Sequence, residues 1–69
     1  MDFWQRLTDN LNQVINSSSK NKAEIARELG VTSACISNYL RGVSYPSLEK
    51  IYLLCKILDC RYEDILGEL

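Results

Sequence analysis

The sequence predicts an all-α fold, in which five helices form one domain that spans residues 1–69. Two observations support this fold class. Apolar residues recur at spacings of three and four positions, which is typical of helices that bury one face. Helix-capping residues precede several of these segments, and glycine follows several of them. We expect helices at about 3–15, 22–29, 33–41, 47–58 and 62–66.

The first predicted helix begins after Asp2, whose carboxylate can accept a hydrogen bond from an amide of the first turn. Gln5 stands three positions later and completes the pattern of a capping box. Apolar residues then follow at positions 3, 7, 11 and 14. Trp4 widens this stripe, and its indole is interpreted either as the edge of the core or as part of a dimer interface.

Residues 22–41, KAEIARELGVTSACISNYLR, organise the rest of the chain. Ala26 is the small side chain needed where two helices cross closely. Gly30 follows the last apolar residue of the second helix and can take the left-handed conformation that ends it. Thr32 is a favourable N-cap for the third helix, in which Ile36 and Tyr39 face the second. This spacing predicts a helix-turn-helix, whose second helix fits the major groove of DNA.

The last two helices follow a loop that ends in Pro46. Ser47 is expected to cap the fourth helix, and apolar residues at 48, 51, 54 and 58 give that helix one buried face. Asp59 stands where a helix-ending glycine is more usual, a role that aspartate fills at some cost. The short fifth helix has no small capping residue, because Arg61 stands at that position.

This pattern resembles the lambda-repressor-like family, which comprises the DNA-binding domains of phage Cro and repressor proteins and their bacterial Cro/C1-type, XRE-like relatives. The resemblance covers nearly the whole chain, and the motif with its flanking helices is more specific than the motif alone. It rests on AsnLys at 21–22, IleAla at 25–26, LeuGlyValThr at 29–32, IleSer at 36–37, Gly42, ProSerLeu at 46–48 and GluAspIleLeu at 63–66.

The resemblance implies which residues contact DNA. The base-contacting positions correspond to Ser33, Ala34, Ser37 and Asn38, and the phosphate-contacting positions to Lys22, Arg41 and Tyr45. Asn38 is the strongest candidate, because its amide can bind the N6 and N7 edge of adenine bidentately. Many relatives carry long glutamines at the first reading positions, whereas the short side chains here require closer approach or bridging water. Each of these assignments has an alternative that involves no DNA. The candidates on the third helix could form a solvated helix face, Lys22 could be an ordinary surface lysine, and Tyr45 could simply pack within its loop.

The net charge of −1 is unusual for a DNA-binding protein, so the distribution of charge matters more than the total. Residues 20–50 carry five basic and three acidic side chains, whereas residues 51–69 carry two basic and four acidic ones. The positive excess therefore lies on the helix-turn-helix. This distribution is compatible with DNA binding and predicts a modest non-specific affinity.

Catalysis, metal binding and cofactor binding are not expected. The chain has no histidine and no CxxC motif, and no serine or cysteine has an identifiable base partner. Cys35, Cys55 and Cys60 are interpreted as small apolar residues, with redox sensitivity of Cys35 as a lesser hypothesis. No apolar segment approaches the ~20 residues that span a bilayer, and no export signal is present. We therefore expect a cytoplasmic protein associated with the nucleoid.

The expected function is sequence-specific binding of double-stranded DNA by a small transcriptional regulator that acts as a repressor. One domain reads few base pairs, so we expect a homodimer on an inverted repeat with half-sites about one helical turn (~34 Å) apart. The resemblance places the dimer interface on the fifth helix, whose alternative role is to cover the core. Its candidates are Tyr62, Ile65, Leu66 and Leu69. The alternative function is a protein–protein interaction module, such as an antirepressor or assembly partner, which the acidic balance and Trp4 favour.

Overall fold

The computed structural model describes residues 2–67, which form five α-helices and no strand. The helices are α1 (Phe3–Ser17), α2 (Lys22–Leu29), α3 (Ser33–Arg41), α4 (Leu48–Leu58) and α5 (Tyr62–Leu66). The predicted all-α, five-helix fold is confirmed. α1 runs two residues beyond its expected end, and α4 begins after Ser47, which lies outside the helix as its N-cap. Within the described residues, no helix is long and apolar enough to cross a bilayer.

Side-chain caps begin four of the helices. The Asn21 side chain accepts from the amide of Glu24 (2.9 Å), and the Glu24 carboxylate accepts from the amide of Asn21 (3.1 Å), which completes a capping box. Asp2 likewise accepts from the amide of Gln5 (2.7 Å). The Gln5 side chain, however, donates to Asp9 (3.1 Å), so only half of the capping box predicted at α1 forms. Each such cap stabilises its helix by about 1 kcal/mol.

Left-handed residues end the three central helices. Gly30 ends α2 at φ +81°, and Gly42 ends α3 at φ +71°. Asp59 ends α4 at φ +52° and ψ +49°, and it is the non-glycine residue with positive φ in the described chain. The backbone thus takes the left-handed conformation at each position where the sequence predicted a helix end.

The core lies where all five helices meet. α3 packs on α1 and α2, α4 packs on α2, and α5 closes the far side against α1 and α4. The buried apolar side chains are Leu7, Leu11, Ile15, Ile25, Ala26, Leu29, Ile36, Tyr39, Ile51, Leu54 and Ile65. Because α2 and α3 each direct two or more of these residues inward, their opposite faces are turned towards solvent.

α5 is attached to the domain by its core side chain and by its backbone. Ile65 is fully buried, and its carbonyl accepts a hydrogen bond from the Asn10 side chain of α1 (3.0 Å). At the helix start, Asp64 accepts from the amide of Arg61 (2.9 Å) and partly replaces the missing N-cap. Ile65 therefore serves the monomer core and is withdrawn from the dimer-interface candidates, since a buried side chain cannot meet a partner.

Candidate nucleic-acid interface

The orientation of α3 is determined by two buried side chains. Ile36 is fully buried and Tyr39 is 5% exposed, and both pack in the core shared with α1 and α2. Thr32 caps the helix by accepting from the amide of Cys35 (3.1 Å). Because residues three and four positions apart share a helix face, this inward pair turns the opposite face of α3 outward.

The four candidate base-contacting residues lie on α3 and remain accessible. Ser33 and Ala34 are exposed in the first turn, and Ser37 and Asn38 are half-buried one turn later. Within residues 2–67, the side-chain amide of Asn38 makes no hydrogen bond, and only its backbone carbonyl accepts one, from the backbone amide of Val43 (3.0 Å) among others. Its donor and acceptor are thus both free to pair with a base edge.

The basic side chains near the helix-turn-helix fall into two groups. Lys20 pairs with Glu28 (2.8 Å), and Lys50 donates to the Leu29 carbonyl at the end of α2 (3.2 Å). Lys22, Arg27 and Arg41 are exposed and form no ion pair within the described residues. The charges of this second group are therefore available to an external anion, whereas those of Lys20 and Lys50 are partly satisfied by the protein.

Tyr45 lies in the loop between α3 and α4 and is 40% exposed. Its ring packs against the indole of Trp4, with the ring centroids 4.7 Å apart and the planes inclined at 42°. The indole is itself 51% exposed and also meets the ring of Phe3 edge-on at 5.1 Å. The ring of Tyr45 therefore packs against α1 while the side chain stays accessible, and its contact with a phosphate stays a prediction.

Two contacts that hold the helix-turn-helix could not be anticipated from the sequence. Asn12 of α1 donates to the carbonyl of Leu40 (2.9 Å), near the end of α3. Lys50 of α4 binds the Leu29 carbonyl at the end of α2. Both donors satisfy carbonyls that a helix leaves without partners at its C-terminus. No local pattern marks these pairs, which are 28 and 21 residues apart.

The three cysteines are all free thiols and half-buried. Burial is the main cause that raises the pKa of Cys60 to about 11, and burial also raises the pKa of Cys55. Burial, followed by a hydrogen bond with Cys35, raises the pKa of Tyr39 to about 12. The side chains of Cys55, Cys60 and Tyr39 therefore stay neutral at physiological pH. Among the described residues, no cluster of three potential metal ligands occurs.

The remaining interface candidates differ in accessibility. Tyr62 is 46% exposed and Leu66 is half-buried, whereas Leu69 lies outside the described residues. An open groove between α4 and α5 adjoins Tyr62, and its sides carry two cations and two anions; its lining is Tyr52, Cys55, Lys56, Asp59, Cys60, Arg61, Tyr62 and Glu63.

Comparisons with known proteins agree with this geometry. The family of Cro/C1-type HTH DNA-binding domains matches residues 10–67. Among solved structures, the chain is similar to the solution structure of the SOS-response transcriptional repressor LexA from Eubacterium rectale, with 25% identity and a TM-score of 0.82. That match covers 93% of this chain and 68% of the LexA chain. No curated protein sequence matches the chain.

The family match includes the whole of α2, α3, α4 and α5, together with the second half of α1. It thus contains the helix-turn-helix and the helices that support it. The resemblance inferred from the sequence is confirmed, and DNA-binding transcription regulation follows from it. The chain belongs to the family of Cro/C1-type helix-turn-helix DNA-binding domains.

Proposed function

We propose that this domain binds double-stranded DNA sequence-specifically as a homodimer on an inverted repeat and acts there as a transcriptional repressor. The observation that supports this most directly is the arrangement of α3. Buried Ile36 and Tyr39 hold the helix from one side, while Ser37 and Asn38 on the other side remain partly exposed among residues 2–67.

Asn38 is the proposed main source of base specificity. Its amide is free within the described residues, and adenine presents a matching acceptor and donor at N7 and N6 in the major groove. A good bidentate pair contributes about 1–3 kcal/mol of discrimination. Ser33 and Ser37 can bind bases singly or through water, and the methyl group of Ala34 can pack on a thymine methyl.

Lys22 and Arg41 are the proposed phosphate contacts, with the Tyr45 hydroxyl as a neutral third. A dimer using both cations from each subunit would neutralise four phosphates. The logarithm of the binding constant should then fall with the logarithm of salt concentration with a slope of about −4. Such a slope is shallow for a DNA-binding protein and agrees with the net charge of −1.

The proposed dimer interface lies at α5 and the adjoining groove. Tyr62 and Leu66 are the accessible members of the α5 stripe, and Tyr52 of α4 extends the apolar surface. The groove carries Lys56 and Arg61 together with acidic residues of α4 and α5. A two-fold axis that passes between the basic and the acidic side chains of this groove would place each charge near the opposite charge of the partner.

The alternative function, a protein–protein interaction module, also has a supporting observation. Leu48 is 77% exposed at the start of α4, and Tyr52 one turn later is 46% exposed. Exposed apolar side chains that adjoin one another are typical of protein interaction sites. This alternative makes no use of the free amide of Asn38 or of the unpaired charges, which is why DNA binding is preferred.

The test is selection from a random duplex pool with the wild-type protein and with Asn38→Ala. The wild type should enrich a palindrome, and the variant should lose preference at one base pair in each half-site. Asn16→Ala is the matched control, because Asn16 is an exposed asparagine near the end of α1, outside the helix-turn-helix.

Four outcomes separate the possibilities. Relaxed preference in Asn38→Ala alone supports the proposed contact, while an unchanged palindrome in this variant moves base recognition to other residues. Enrichment of a single half-site would contradict the homodimer. No enrichment, with only weak binding that disappears near physiological salt, would contradict the DNA-binding proposal and favour the interaction module.

A further inference from the structure

One face of α1 carries three residues at intervals of four, Trp4, Thr8 and Asn12, which we name the α1 stripe. Residues at this spacing lie one above another along a helix. This stripe adjoins the apolar face that enters the core, yet two of its members are polar and the third is half exposed. The core alone therefore does not explain these residue types.

Each member of the stripe contacts the segment at and after the end of α3, in antiparallel order. Trp4 packs on Tyr45, with 4.7 Å between ring centroids. Thr8 lies against Gly42, where an added β-carbon would come within 3.2 Å of the threonine Oγ1. One turn further along α1, the amide of Asn12 donates to the carbonyl of Leu40 (2.9 Å).

The stripe is itself held in place by hydrogen bonds along α1. The hydroxyl of Thr8 donates to the carbonyl of Trp4 (3.0 Å), and the Asn12 amide also donates to the carbonyl of Thr8 (2.9 Å). Thr8 is only 8% exposed and is the buried polar residue in the described chain. The three side chains thus form a continuous, ordered edge against the end of α3 and the loop that follows it.

The contacted segment includes two of the proposed phosphate contacts. Arg41 is the last residue of the helix, and Tyr45 lies four residues on, beyond the left-handed Gly42. Outside the helix, the backbone hydrogen bonds of this segment run from the amides of Gly42, Val43 and Ser44 back to the carbonyls of Asn38 and Tyr39. All of these bonds return to α3, so the contacts with α1 join the segment to a second helix.

From these contacts we infer that Trp4, Thr8 and Asn12 are positioning residues for DNA binding. They hold the end of α3 and the 41–45 segment so that Arg41 and Tyr45 meet the phosphate backbone while α3 lies in the groove. This inference rests on the proposed DNA contacts. Without the stripe, the segment must be ordered during binding, and the cost of that ordering reduces affinity.

Asn12→Ala is the central variant, and Asn10→Ala is its matched control. Both asparagines lie on α1, are half-buried and donate to a carbonyl of another helix, at 2.9 Å for Leu40 and 3.0 Å for Ile65. Loss of either bond should lower the melting temperature by a similar amount. Because Asn10 holds α5, at the proposed dimer interface, the affinities are compared on a duplex that carries one half-site of the selected palindrome, which a monomer can bind. Only Asn12→Ala releases the end of α3, so only this variant should bind that duplex about five- to tenfold more weakly.

A second readout distinguishes positioning from a general loss of stability. If Arg41 and Tyr45 no longer meet the phosphates, the salt dependence of binding should become shallower in Asn12→Ala and stay unchanged in Asn10→Ala. The affinities are measured well below the melting temperatures of both variants, so that each protein is fully folded during the measurement.

Trp4 gives an independent test should Asn12→Ala fail to fold. Trp4→Ala removes the ring that supports Tyr45, whereas Trp4→Phe retains a smaller ring at the same place. Weaker DNA binding by Trp4→Ala, with recovery in Trp4→Phe, would support the inference. Equal affinities for the wild type and Trp4→Ala, or equal losses in Asn12→Ala and Asn10→Ala, would overturn it while leaving DNA binding intact. Absence of any wild-type binding to a selected duplex would overturn both this inference and the proposed function.

Discussion

The end of α4 offers a quantitative test of backbone energetics, because Asp59 occupies a left-handed conformation at φ +52° and ψ +49°. This conformation costs an L-residue about 1–2 kcal/mol, and aspartate less than most. Glycine adopts it freely but loses about 0.5–1 kcal/mol more backbone entropy on folding. The carboxylate also lies at the negative end of the helix dipole, which costs about 0.3–1 kcal/mol.

Together these contributions predict that Asp59→Gly increases the free energy of unfolding by about 0.5–1 kcal/mol. For a domain of this size, such a change raises the melting temperature by about 2–8 °C. Thermal and urea unfolding followed by circular dichroism measure both quantities. The cap amide still donates to the Cys55 carbonyl, so the helix should end at the same residue.

Asp59→Ala separates the backbone contribution from the charge contribution. This variant loses the carboxylate but keeps a β-carbon in the left-handed region, so it should be about 1 kcal/mol less stable than Asp59→Gly. Equal stabilisation by glycine and alanine would show that the charge, and not the conformation, determines the effect. A glycine variant no more stable than the wild type would refute the reasoning altogether.

Two further predictions concern the core. The pKa of Tyr39 rises from 10.0 to about 12 on folding, so the stabilisation that comes from its neutral form is complete below pH 10 and is lost as pH rises towards 12. Urea unfolding measured across this pH range should show a smaller loss of unfolding free energy for Tyr39→Phe than for the wild type. Parallel pH profiles of the two proteins would contradict the assignment. Ala26 is 3% exposed, so Ala26→Leu should destabilise the domain by about 1–3 kcal/mol through overpacking. Ala23 is exposed on the same helix, and Ala23→Leu should be nearly neutral in the same unfolding assay.

Much of the fold could be predicted because its determinants are local. The spacing of apolar residues identified the five helices, and Gly30, Gly42 and Asp59 marked helix ends through the backbone conformation that each end requires. A capping box at Asn21 and Glu24 followed equally from two residues three positions apart. Such features depend on a few neighbouring residues, so they can be recognised before the tertiary structure is known.

The role of each apolar residue of α5 could not be predicted in this way, for a physical reason. An apolar stripe shows that a helix is amphipathic, but it does not show whether a given side chain meets the core or a partner. Ile65 meets the core of its own subunit, whereas Tyr62 on the same short helix remains exposed. Separating the two requires knowledge of where α1 and α4 lie.

The contacts that hold the candidate site in place could not be predicted either, because they join residues that are far apart in the sequence. The bond from Asn12 to Leu40 joins residues 28 positions apart, and asparagine in the middle of a helix has many ordinary explanations. The contact between Trp4 and Tyr45 joins the first turn of α1 to a loop beyond the reading helix. The resemblance supplied candidate DNA contacts, but only the packed structure relates α1 to them.

The contact between Trp4 and Tyr45 also makes tryptophan fluorescence an intrinsic probe of DNA binding by this domain. Trp4 is the sole tryptophan of the chain, so its ultraviolet emission comes from one known place, beside a proposed phosphate contact. Emission from an indole depends on the polarity and motion of its surroundings. Occupancy of the neighbouring loop by a duplex should therefore alter its wavelength or intensity, and binding can be titrated in solution with unmodified protein and unlabelled DNA.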